Sequence, residues 1–113
     1  MDLVVAAPGV STGRLSETLG SDGHSLLFVD RLTRCGVPTA DPTTADRLRV
    51  AVTPCVSALH AADRFRRRLP AGVGVDAVLV VGAGRQSVAA WADGRFGCPV
   101  SSVGSAARTA ARY

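Results

Sequence analysis

A glycine, two hydroxyls and an arginine follow the first apolar run of the chain, VVAAPGVSTGRLSETL, residues 4–19. Gly9 frees the backbone for a tight turn. Ser11 and Thr12 bring hydroxyls and amides to the start of a predicted helix, and Arg14 adds a cation. Unpaired N–H groups and the helix dipole favour an anion at such a place, so the chemistry on offer is the holding of a phosphate. The same residues also make an ordinary strand-to-helix turn in which Ser11 only caps the helix. The turn matches neither complete phosphate-loop pattern, G-x-x-x-x-G-K-[ST] or G-x-G-x-x-G.

A second turn of this kind is VGAGRQS, residues 81–87. Gly82 and Gly84 free the backbone, Arg85 supplies charge, and Gln86 and Ser87 open a helix. It also reads as a plain turn. If both turns lie on one sheet edge, Arg14 and Arg85 predict a shared anionic ligand. A third candidate is Asp30, which ends an apolar run and is followed by Arg31 and Arg34. Its carboxylate either ligates magnesium or, the favoured expectation, pairs with a neighbouring arginine.

Thiol chemistry has less support. Cys55 stands at a predicted helix start, where a thiol's pKa falls, and His60 follows five residues later. Five residues turn a helix through about 500°, which leaves the two about 140° apart. They do not share a face, so a buried small thiol and a surface histidine are expected. The C-x₅-R spacing of phosphatases is absent, because Ala61 stands where the arginine belongs. His24, after Asp22-Gly23, reads as a solvated turn residue.

Composition narrows the classes. The 113 residues are 47% apolar but only 4% aromatic. A core of Val, Leu and Ala follows, which suits helices laid on a parallel sheet. All thirteen basic residues are arginine, and the absence of lysine excludes a phosphate-clamping Lys or a Schiff base. The net charge of +4 favours acidic partners weakly. Arg64, Arg66, Arg67 and Arg68 fall on one predicted helix and read as its solvated face. No aromatics accompany them to stack bases, which argues against nucleic acid. Cys35, Cys55 and Cys98 are odd in number and widely spaced, so neither a disulfide framework nor a zinc site is indicated. Reduced thiols, no signal peptide and no apolar run of about 20 residues predict a cytoplasmic location without membrane insertion.

These residues need a frame. Five short β-branched runs, at 3–7, 25–29, 48–52, 76–81 and 98–103, read as buried strands bounded by Gly, Pro or Asp. Helices are predicted at 11–19, 54–69, 86–92 and 105–112. The second is the best marked: Thr53 suits the N-cap, Pro54 the first turn, and Leu59, Ala62, Phe65 and Leu69 form its apolar stripe. Trp91 is expected to pack its helix on the sheet. Residues 31–47 hold two prolines where a crossover helix is expected, and so predict a long loop. The alternation predicts one α/β domain over 1–113. It would be Rossmann-like in the broad sense, with three layers and a mostly parallel five-stranded sheet carrying helices on both faces. Ligands of such sheets bind beyond the strand carboxyl ends.

Two family resemblances attach to these motifs. The PGVST turn and its helix, SLLFVD ending in Asp30, and ADRLRVAVTPCVSALHAADRF resemble a shortened MinD/ParA-type P-loop ATPase, closest to the CpaE-like members of actinobacteria. That resemblance implies a nucleotide-phosphate turn, with Ser11 or Thr12 as the metal- and phosphate-contacting hydroxyl and Asp30 as the magnesium carboxylate. The motif lysine is missing and the chain is about half the usual length, so the implied relative is a degenerate one that binds nucleotide weakly or not at all. The first turn also resembles that of lactose/cellobiose-type phosphotransferase IIB components, whose phosphorylated cysteine would fall at Val5 or Ala6. Together these readings predict a non-catalytic binding or regulatory module for a nucleotide or phosphate, with a protein partner or second copy as a further expectation. The alternatives are a small cysteine-dependent enzyme and a structural subunit.

Overall fold

The computed structural model describes residues 2–20 and 27–103. The predicted helix at 105–112, the turn at His24 and the first two residues of the predicted strand 25–29 lie outside them. The elements run β1 (Asp2–Ala6), α1 (Thr12–Gly20), β2 (Leu27–Arg31), β3 (Arg47–Val52), α2 (Val56–Arg68), β4 (Ala77–Val81), α3 (Arg85–Ala92) and β5 (Val100–Val103). The strands form one parallel sheet in the order β2-β1-β3-β4-β5.

Both faces of the central strands β1, β3 and β4 are covered, which is why their sequences do not alternate, whereas the edge strands β2 and β5 keep exposed residues. On one face Leu3, Val5, Leu48, Val50, Val52, Val78 and Val80 pack with Ala58, Ala61, Ala62 and Phe65 of α2 and Val88 of α3, with Trp91 against this cluster. On the other face Val4, Ala6, Ala51 and Leu79 pack with Leu15 of α1. Three alanines on the buried side of α2 let the helix approach the strands closely, and Phe65 fills the space that remains. The α/β three-layer expectation therefore holds, with α1 on one face and α2 and α3 on the other.

Three local expectations are corrected. β2 runs to Arg31, two residues past the predicted end, because Asp30 and Arg31 continue the ladder opposite Val5 and Ala6. Thr53 does not cap α2. The Cys55 N–H donates to the Thr53 carbonyl at 2.7 Å and closes a tight turn around Pro54, so the helix begins after Cys55, whose carbonyl accepts from Leu59 N–H at 2.9 Å. Cys55 is also exposed rather than buried, since it stands in that turn and not on the inner helix face.

Residues 32–46 replace a crossover helix with an anchored loop. It holds one 3-10 turn, Pro42–Thr44, capped by Asp41. Gly36 lies against α2 so closely that an added Cβ would stand 2.5 Å from the Phe65 nitrogen. Arg68 of α2 donates to the Cys35 carbonyl at 3.2 Å. The arginine run on α2 is largely absorbed by local contacts: Arg66 and Arg67 pair with Asp63 at 2.7 and 3.2 Å, and Arg66 also lies over the Phe96 ring. No helix among the described residues is long and apolar enough to cross a membrane.

Candidate functional site at the strand carboxyl ends

In the order 2-1-3-4-5 the chain leaves β1 toward one side of the sheet and β3 toward the other. A crevice opens where the direction reverses, and this is where doubly wound sheets bind ligands. The turn Ala7–Ser11 stands at that point. Gly9 has φ +92° and faces Thr53, whose Oγ1 is 4.0 Å from where a Cβ would stand. Ser11 caps α1: its carbonyl accepts from Leu15 N–H at 3.0 Å and its hydroxyl oxygen accepts from Arg14 N–H at 3.3 Å. The capping role is thus shown, and the Ser11 O–H remains able to donate outward.

Clefts flank the turn on two sides. One, of about 450 Å³, lies between Ala7–Ser11 and Arg31–Arg34. The other, of about 160 Å³, is walled by Leu15, Val81 and Val103 and holds Arg14 and Thr18. Both share Gly9, Val10 and Ser11. Thr12 opens α1 and lines a separate shallow surface with Phe28 of β2.

The second glycine turn is placed apart. β3 lies between β1 and β4, so the Thr53–Cys55 turn stands between the two. Gly84 is the N-cap of α3 with φ +98°, and a Cβ there would stand 2.7 Å from Pro54 Cγ. Arg85 lines a groove of about 650 Å³ with Ala89, Asp93, Cys98 and Val100, on the β5 side. Gly82 also has positive φ, and its N–H reaches toward the Val103 carbonyl at 3.4 Å. The eight residues singled out from sequence are therefore not one cluster. Gly9, Ser11 and Arg14 share a cleft; Thr12, Asp30 and the group Gly82, Gly84 and Arg85 do not join it.

Asp30 departs most from expectation. It is 9% exposed, and no arginine side chain pairs with it among the described residues. Its Oδ2 accepts from Thr39 N–H at 2.8 Å and Ala40 N–H at 2.7 Å, and its Oδ1 accepts from the Thr39 hydroxyl. Burial pushes this carboxyl up, but the Ala40, Thr39 and Arg31 donors outweigh it and leave the pKa below its ordinary value. Both oxygens are thus engaged by the loop. No group of three or more His, Cys, Asp or Glu side chains suited to a metal occurs among the described residues.

The Cys55 thiol contacts the Ser57 hydroxyl at 3.3 Å. That contact and the N–H groups of Ser57 and Ala58 lower its pKa. Cys98 is shifted the other way, by burial and by the charge of Asp76. Neither thiol has a histidine hydrogen-bonded to it among the described residues, so a Cys–His pair is not assembled there.

Charge differs between the two ends of the strands, although Arg47 and Arg49 stand near the start of β3 and Asp30 near the end of β2. Asp2, Asp46 and Asp76 stand at or just before the starts of β1, β3 and β4. There Asp2 meets Arg49 at 4.0 Å and Asp76 accepts from Leu48 N–H at 2.8 Å. Arg14, Arg31, Arg34 and Arg85 stand at the strand ends or in the first helical turn beyond them. Sequence reasoning did not place Arg31 and Arg34 in the site. The signal was present as R-x-x-R after a strand, but the adjacent Asp30 masked it by offering a partner. No family model, curated protein or solved structure matches the chain.

Proposed function

We propose that the chain is a non-catalytic binding module that takes a phosphate-bearing ligand at the turn after β1. The observation that carries this reading is the placement of Gly9–Ser11 at the switch point of the sheet, on the edge where arginines outnumber carboxylates. Backbone N–H groups, a hydroxyl and nearby guanidinium groups are the donors a phosphate needs. Focusing of positive potential at one edge also speeds the approach of an anion. The same reading takes in the likeness to MinD/ParA-type ATPases: a phosphate turn kept without the lysine that hydrolysis requires. A regulatory role, with ligand state read by a protein partner, belongs to this reading as well.

Calorimetry with inorganic phosphate, ATP and ADP, each with and without magnesium, tests it. Wild-type protein is expected to bind at least one of them, independently of magnesium. A Ser11→Ala/Thr12→Ala variant with unchanged circular dichroism is expected to lose that binding. Absence of heat with every phosphate compound at millimolar concentration overturns the reading, as does turnover of ATP.

A further inference from the structure

We infer that Arg31 and Arg34 are the charge-reading pair of this site, and that they select a doubly charged phosphomonoester over singly charged phosphodiesters and carboxylates. The inference rests on the binding reading above and narrows its ligand.

Both arginines line the larger cleft opposite Ala7–Ser11. Neither has a carboxylate partner among the described residues. Asp30, the obvious one by sequence, is held by Thr39 and Ala40 instead. Two cations thus face one cleft without compensation, a state that favours a ligand bringing two negative charges.

The backbone that carries them is fixed before any ligand arrives. Arg31 is paired with Ala6 in the sheet, and Leu32 is buried with its N–H on the Ala6 carbonyl at 2.9 Å. Beyond Arg34 the chain closes on itself: Thr33 N–H donates to the Val37 carbonyl and Val37 N–H to the Thr33 hydroxyl, both at 3.1 Å. Only side-chain rotamers remain to be ordered, which lowers the cost of binding. Guanidinium forks match the geometry of phosphate oxygens.

Size and position supply the rest. About 450 Å³ exceeds what a bare phosphate fills and lies within the range of small-molecule sites, leaving room for an esterified group. Arg14 serves the narrower cleft with apolar walls, and Arg85 lies beyond the Thr53–Cys55 turn, so neither shares this space.

Inorganic phosphate, AMP and cyclic 3′,5′-AMP distinguish the outcomes, because the two nucleotides share a nucleoside and differ in phosphate charge. At pH 7.5 and about 50 mM salt, AMP is expected to bind roughly tenfold or more tighter than the cyclic diester. Arg31→Gln/Arg34→Gln is expected to weaken AMP by about 10- to 100-fold. An Arg64→Gln/Arg67→Gln variant, which removes the same charge from the exposed face of α2, is expected to stay within about threefold of wild type, a change too small for a lost charge-assisted contact. AMP affinity should also fall as pH drops through about 6, where the monoester takes up its second proton. Equal binding of AMP and its cyclic form, or a larger loss in the Arg64/Arg67 variant, overturns this inference and leaves the binding reading standing. Absence of binding by all three compounds overturns this inference, and absence with ATP and ADP as well overturns both.

Discussion

The turns after β1 and β4 look alike as sequence: each leads from an apolar strand through glycine into a helix with an arginine in its first turn. In the folded chain their glycines answer different demands. Gly9 needs its positive φ, but an added Cβ would meet nothing closer than 4.0 Å, and open clefts flank the turn. Gly84 needs its positive φ and also the missing side chain, because Pro54 of the neighbouring turn occupies that volume. A glycine in a strand-to-helix turn thus reports a backbone angle. Whether a ligand or a proline ring stands beside it depends on the next strand over.

Substitutions sharpen this contrast. Gly84→Ala combines backbone strain with a clash against a stiff ring, and is expected to lower unfolding free energy by about 2–3 kcal/mol. Urea denaturation measures this. Adding Pro54→Ala should restore part of the loss, and absence of any recovery would show that only the backbone angle matters.

Asp30→Asn comes next, at about 1–2 kcal/mol, because the half-buried donors of Thr39 and Ala40 lose a charged acceptor when one oxygen becomes an amide. The folded Asp30 pKa lies below its ordinary 3.8, so its contribution is complete above that value and is lost as pH falls through the folded pKa. The variant should therefore show a shallower loss of stability on the acid side. Identical acid profiles for the two proteins would remove Asp30 from the account.

Gly9→Ala is expected to be the mildest, about 1 kcal/mol, since only the angle is strained. A cost equal to that of Gly84→Ala would break the comparison, by showing that the first turn is packed as tightly as the second.

Much of the frame was legible. Five β-branched runs and an apolar helix stripe report burial through local periodicity, and Ser11 as a cap is a neighbour-to-neighbour matter of three residues. The misreadings have a common origin. Thr53 and Pro54 are a good helix start on local rules, but the tight turn they form carries Cys55 out to solvent. Asp30 beside Arg31 suggests an ion pair on proximity alone, whereas the loop nine residues on supplies better donors. Its signal, a Thr-Ala-Asp-Pro segment, looks like any loop until it is folded back over β2.

What the chain determines by itself is the alternation of strands and helices, the burial of the sheet on both faces, and the exclusion of lysine chemistry. Each follows from residue type and spacing over a few positions. Strand order is decided only by tertiary pairing. That pairing sets β3 between the two glycine turns, brings Arg31 and Arg34 to the larger of the two clefts beside Gly9 while Arg85 lines a groove elsewhere, and gives Asp30 to the loop. The physical reason is that cross-strand hydrogen bonds and loop packing join residues far apart in sequence, and such contacts leave no periodic trace in the chain itself.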